Sequence, residues 1–141
     1  MYDVIIIGAG PAGISASLYT QRANLNTLVL YKKDNTSLIK TSKIENYYGF
    51  EKGIDGRKIY ENGIKQAQNI GVKLLEEEVI KISKENNFKI ETLNNSFESK
   101  AVIIATGISK NKPKIEGIDK FEGKGISYCA ICDGFFIEIK M

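Results

Sequence analysis

Histidine is missing altogether from the 141 residues, and cysteine occurs only twice, as Cys129 and Cys132. Without histidine, Ser-His-Asp and Cys-His catalysis are excluded, together with most catalytic zinc sites. Long apolar runs are also lacking. The longest, Val4–Ile7 and Ala101–Ala105, are far too short to cross a bilayer. The start, Met1-Tyr2-Asp3, has no positive n-region of the kind that opens a signal peptide. The chain therefore reads as soluble and cytoplasmic, with no membrane partner. Nor is there a basic stripe interleaved with aromatics. The net charge of +3 comes from lysines scattered along the chain, which is the pattern of a solvated surface and not of a nucleic-acid face.

What is present is an ordinary globular composition, 43% apolar, in a length that suits one domain or one domain and part of another. Tyr2–Ile7 is a β-branched apolar run ending at Gly8, as expected of a strand buried on both faces. A tight turn over Gly8–Gly13 leads into a helix reaching about Ala23, with Pro11 at its first position and Ile14, Ala16, Ser17 and Leu18 available for packing. Thr27–Tyr31 reads as a second strand, and Lys32–Lys43 as a polar loop. A short aromatic segment, Ile44–Phe50, follows. Asp55 is placed to cap a helix running to about Ile70, with Ile59, Ile64, Ala67 and Ile70 on one face and Gly71 as its stop.

From Val72 the period changes to two. Val72–Ser83, Phe88–Thr92 and Ser96–Ser99 read as strands separated by the Asn86-Asn87 and Asn94-Asn95 turns. Ala101–Ala105 reads as a further buried strand. Ile103, Ile104, Ile59 and Ile64 are expected in the core. The lysine- and glycine-rich stretch 109–125, which contains Pro113, reads as a linker or crossover. The expected fold class is α/β, a Rossmann-like parallel sheet with a small antiparallel β-meander.

Gly8-Ala9-Gly10-Pro11-Ala12-Gly13 matches G-x-G-x-x-G, and it sits between a strand and a helix with a second strand following, which is the context that gives the pattern meaning. Gly8 permits the sharp turn, Gly10 lets backbone approach a pyrophosphate, and Gly13 lets the helix lie close to the strand. Free N–H groups and the helix dipole favour the diphosphate anion. The carboxylate expected at the end of the second strand is absent, since Leu30-Tyr31-Lys32 stands there. Tyr31 could offer a hydroxyl instead, and Asp34 lies close by. Lys32 and Lys33 would suit a 2′-phosphate, so NADP is left open on this unit alone.

Cys129-Ala130-Ile131-Cys132 has the spacing of disulfide exchange, in which only the thiolate attacks. Asp133 follows directly and is the nearest candidate to carry a proton to or from a thiol. A zinc site would need carboxylates to complete its ligands, because the chain has no further cysteine or histidine.

Tyr2–Gly13, Arg22-Ala23-Asn24-Leu25, the string Ile44-Glu45-Asn46-Tyr47-Tyr48-Gly49-Phe50, Ala105-Thr106-Gly107 and Tyr128–Phe136 occur in the order seen in low-molecular-weight thioredoxin reductases. The chain resembles the N-terminal part of that family, FAD-dependent pyridine nucleotide-disulfide oxidoreductases. The resemblance implies that Gly8, Gly10, Pro11, Ala12 and Gly13 hold the FAD pyrophosphate and that Asn46 approaches the isoalloxazine ring. It implies that Val79, on the middle strand, meets the adenine through its backbone, and that Thr106 and Gly107 flank the flavin. Cys132 would face the flavin, Cys129 would attack the disulfide of a thioredoxin-like partner, and Asp133 would be the acid–base. The full-length family also uses NADPH and forms homodimers.

Two departures concern the flavin loop: Ser37–Thr41 replaces a Gly-Gly-Gln segment, and Tyr48 replaces a proline. Both changes are similar to reductase-like variants whose electron donor need not be NADPH. The chain also lacks a second glycine fingerprint and stops soon after Phe135-Phe136. The expected organisation is the first part of an FAD-binding domain at 1–108, a linker at 109–125, and at 126–141 the truncated start of a pyridine-nucleotide and dithiol domain. The expected function is flavin-dependent reduction of a protein disulfide. A chain of this content would itself be inactive, at most an FAD- or ADP-binding module without turnover. An ordinary NAD(P)-dependent dehydrogenase domain is opposed by Asp133-Gly134-Phe135-Phe136 and by Ala105-Thr106-Gly107.

Overall fold

The computed structural model describes residues 1–32, 36–108, 116, 118–121 and 126. The chain divides into two units, Met1–Ser109 and Lys110–Met141. In the first, β1 (Tyr2–Ile7), β2 (Thr27–Tyr31), β3 (Lys73–Glu76), β4 (Val79–Lys84), β5 (Phe88–Thr92) and β6 (Ser96–Ile104) form one six-stranded sheet in the order β3-β2-β1-β6-β5-β4. Helices α1 (Pro11–Arg22) and α2 (Gly56–Asn69) connect β1 to β2 and precede β3. In the second unit, a short helix α3 (Ile118–Phe121) is followed by Ile126, whose N–H donates to the Phe121 carbonyl at 3.0 Å.

Beside one another, β3, β2, β1 and β6 run parallel, whereas β5 and β4 are antiparallel to their neighbours. The alternation of β1 divides the core. Val4 and Ile6 join Val29, Ile14 of α1, Ala67 of α2 and Val72 on the helix-covered face. Ile5 and Ile7 join Leu28, Leu30 and Ile90 of β5 on the other, where Phe88, Phe97 and Val79 also pack. A strand buried on both faces needs apolar residues at every position, which is why Val4–Ile7 shows no alternation.

Both helices end as their sequences require. The Asp55 carboxylate accepts from the N–H groups of Arg57 (2.7 Å) and Lys58 (3.2 Å), capping α2. Gly71, at φ +91°, donates to the Gln68 carbonyl while Val72 donates to Ala67, the paired bonds of a Schellman turn. α1 closes in the same way through Asn24, at φ +57°, with Asn24 N–H bonded to Gln21 and Leu25 N–H to Thr20.

Five expectations are corrected or refined. The run Val72–Ser83 is two strands, parted at Glu77-Glu78, with β3 parallel to β2 and β4 turned back to pair with β5. Ser96–Ser99 and Ala101–Ala105 are instead one continuous strand whose first half pairs with β5 and whose second half pairs with β1. Ile104 is 67% exposed, because it lies beyond the stretch that β5 covers, and Ile70 is 39% exposed because it is the C-cap of α2, where Val72 takes the buried place. The polar loop after β2 contains a 3-10 turn, Ser37–Lys40, capped by the Thr36 side chain.

Candidate functional site

Parallel strands deliver their carboxyl ends to one edge of the sheet. The ends of β1, β2, β3 and β6 bring together the Gly8–Gly13 turn, Tyr31-Lys32, Glu76–Val79 and Ala105–Gly107. Two backbone bonds fix the floor of this edge: Gly8 N–H donates to Leu30 O, and Ala105 N–H donates to Ile7 O, each at 2.8 Å. Crevices of this kind are where open α/β sheets bind ligands.

The three glycines of the turn answer to different constraints. Gly8 has φ +112°, and a Cβ there would lie 2.2 Å from the Ala105 carbonyl oxygen. A Cβ on Gly13 would lie 1.9 Å from Gly8 O, so the helix touches the strand only because that atom is missing. Gly10 is unlike both. Its φ of −72° suits any residue, and a Cβ there would meet nothing within 4 Å. Neither packing nor backbone strain calls for glycine at this position, and the space beside it opens outward. Gly10 is also the N-cap of α1, whose first turn has Pro11 at its start, no side-chain cap and no acidic residue. With Pro11 and Ala12 exposed, the turn offers a positive helix end free of competing carboxylates. These features fit a dinucleotide diphosphate.

At the end of β2, Tyr31 is half-buried. Burial, reinforced by the negative charge of Glu76, raises its hydroxyl above the usual tyrosine value, so it remains a neutral donor. Tyr60 of α2 is raised by burial and then by its neighbours Tyr31 and Glu76. These tyrosines line a shallow hollow with Glu61, Ile64, Lys65 and Gln68. Lys32 Nζ is paired with Glu78 at 2.7 Å.

Thr106 and Gly107 are exposed beyond β6, with Gly107 at φ +70°. Val79 stands at the same edge. It opens β4, which is the outer strand of the sheet and not a middle one, and it pairs with Thr92 across a bulge. Asn46 is exposed in the loop closed by the Ile44–Ile54 pair, where the Tyr47 and Phe50 rings stack at 5.9 Å. Among the described residues, no hydrogen bond or ion pair ties Asn46 to the glycine turn. Cys129, Cys132 and Asp133 lie outside the described residues.

Glu76 and Glu78 are the site-edge residues that sequence reasoning passed over. Their signal was the acidic triplet Glu76-Glu77-Glu78 at the close of an apolar strand, which marks the carboxyl end of the sheet. Glu77 has a structural duty, accepting from Thr92 Oγ1 and from Asn95 Nδ2. Among the described residues, no trio of carboxylates or other metal ligands clusters, and no helix is long and apolar enough to cross a membrane.

A family model described as pyridine nucleotide-disulphide oxidoreductase matches residues 2–140. The thioredoxin reductase of Treponema pallidum is 43% identical over 141 residues, covering 99% of this chain and 46% of that protein. Among solved structures, the thioredoxin reductase of Streptococcus pyogenes superposes with a TM-score of 0.87 at 34% identity, covering 97% of this chain and 45% of its own. An atypical thioredoxin reductase from Desulfovibrio vulgaris Hildenborough gives 0.73 at 40% identity, covering 96% and 46%. The chain thus spans less than half the length of the relatives it matches.

Proposed function

Because this chain belongs to the pyridine nucleotide-disulphide oxidoreductase family, on its thioredoxin reductase side, we propose that its glycine turn holds the diphosphate of FAD and that Cys129 and Cys132 carry electrons to a protein disulfide. The observation that carries this reading is Gly10, a glycine demanded neither by its φ nor by any neighbour within 4 Å. A ligand whose oxygens come up against the backbone supplies the missing reason. Gly8, Pro11, Ala12 and Gly13 complete the cradle, Tyr31 and Val79 border the adenosine half, and Asn46, Thr106 and Gly107 serve the flavin half. When bound, FAD would supply reversible two-electron chemistry.

The order of the thiol steps is the one that the resemblance to thioredoxin reductases implies. The Cys129 thiolate attacks one sulfur of the partner's disulfide and releases the other as a thiolate. Cys132 then attacks the Cys129 sulfur, freeing the partner's second thiol and leaving a Cys129–Cys132 disulfide. Asp133 is the group that returns protons to the departing thiolates. The partner is a thioredoxin-like protein, the setting is the reducing cytoplasm, and the whole enzyme is a homodimer that draws on NADPH or another donor. The 141-residue chain carries a single glycine fingerprint. By itself it is expected to bind FAD or ADP without NADPH-driven turnover.

Titration of the purified chain with FAD tests the reading. A stable yellow complex that releases FAD on denaturation is expected, with loss of flavin fluorescence on binding. A folded protein that leaves added FAD free would refute the assignment.

A further inference from the structure

At the adenosine half of the crevice, β2 ends in Tyr31-Lys32, so the carboxylate that commonly receives a ribose hydroxyl is missing from its usual strand. A carboxylate stands beside the vacancy all the same. β3 runs parallel to β2 with Tyr31 in register with Glu76, and each is the last residue of its strand. Neighbouring strands lie about 4.8 Å apart, and partners in register point to the same face. The Glu76 charge is felt by both Tyr31 and Tyr60. Its two successors are already engaged, Glu77 by Thr92 and Asn95, Glu78 by Lys32. Glu76 is exposed and belongs to none of the ion pairs among the described residues.

We propose that Glu76, delivered from β3, is the carboxylate that accepts the ribose hydroxyls of the adenosine half, and that Glu78, by holding Lys32, leaves the site preferring a plain ribose to a 2′-phosphorylated one. The proposal rests on the reading that the glycine turn holds a dinucleotide diphosphate. The chemistry is consistent on each side of the ribose. An ionised carboxylate only accepts, so it matches hydroxyl hydrogens, while the neutral Tyr31 hydroxyl can donate to a ribose oxygen. A 2′-phosphate in the same place would bring two negative charges against Glu76, and Lys32, one of the two lysines that could offset them, is held by Glu78 at 2.7 Å. The specificity signal is therefore reversed from what Lys32 suggests by itself.

The test is calorimetric titration of the 141-residue chain, wild type and Glu76→Gln, with ADP and with 2′,3′-dideoxy-ADP. Wild type is expected to bind ADP. Glu76→Gln should weaken ADP about tenfold, the size of one hydrogen bond to a charged group at a partly exposed site, and both proteins should bind dideoxy-ADP alike. A substitution that costs nothing, or costs the same with either nucleotide, overturns the role of Glu76 while leaving the diphosphate reading intact. Wild type that binds neither ADP nor FAD overturns the underlying reading and this one with it. In a second arm, ADP-ribose should outbind 2′-phospho-ADP-ribose, and Glu78→Gln should narrow the difference by releasing Lys32. Equal binding of the two by wild type overturns the preference.

Discussion

Gly10 and Gly13 are three positions apart and face opposite demands. The atom missing from Gly13 would collide with the Gly8 carbonyl, a backbone group that cannot swing aside. Gly13→Ala is therefore expected to cost about 1–3 kcal/mol in a denaturant melt, the range for forced overpacking. Gly10→Ala adds a methyl to open space and exchanges one uncharged N-cap for a poorer one, so its cost should stay below about 1 kcal/mol. Its affinity for ADP should nevertheless fall at least tenfold, because the methyl occupies the approach to the diphosphate. A Gly10→Ala protein that melts normally and binds ADP normally would remove the main support for the site. Asp3 gives a second test at this scale. Its carboxylate accepts from Lys100 Nζ at 2.7 Å and from Asn26 N–H at 2.9 Å, and these bonds, the lysine's first, hold its pKa below the ordinary 3.8. A depressed carboxylate stabilises the fold at pH values above its unfolded pKa and loses that contribution as pH falls through the lower folded value. Thermal midpoints of wild type should thus drop below pH 3.8 more steeply than those of Asp3→Asn, and parallel curves would exclude the effect.

At the scale of elements, α2 shows what local chemistry can specify. Asp55, the helix period and Gly71 announce its start, buried face and stop, and all three act within a few residues of chain. Asp55→Ala should destabilise the protein by about 1 kcal/mol in urea, while Asp55→Ser should recover most of that, since serine can also accept from the first-turn N–H groups. Equal losses in both would mean that the cap is not the source. The strands were legible in kind and less so in extent. Lys100 interrupts an apolar pattern and so suggests a break, yet its side chain reaches outward to Asp3 and β6 continues beneath it. Conversely, Val72–Ser83 keeps its period across Glu77, whose side chain instead secures the Thr92–Asn95 turn and lets the chain reverse. The glycine turn could be read because its geometry is local. Glu76 could not, because its place beside Tyr31 depends on which strand lies next to β2, a register set by residues some forty-five positions apart in the chain.

Across the first unit as a whole, the sheet places its best-protected backbone where the glycine-turn edge is anchored. β1 is bonded on both sides, to β2 and β6, and Ile5 and Ile6 are fully buried, whereas β4 has one partner and leaves Ile80 58% and Ile82 39% exposed. In hydrogen exchange the amides of Ile5–Ile7 and Leu28–Leu30 should be the slowest, opening only with the whole unit, and those of β4 the fastest of the sheet. Adding ADP sharpens the prediction. Any ligand of the folded state slows amides that exchange through global unfolding, wherever it binds. Amides that exchange by local opening respond only where the ligand covers them. The turn amides of Gly10 and Ala12 lie at the helix end beside exposed Pro11, and those of Asn86 and Asn87 lie in the β4–β5 turn, so both sets should exchange locally. ADP should slow the first set and leave the second unchanged, with added slowing at Lys32 and Glu77, the residues just past the ends of β2 and β3. Slowing of both sets alike would place the nucleotide elsewhere, and slowing at Asn86–Asn87 alone would move the binding edge to the antiparallel half of the sheet.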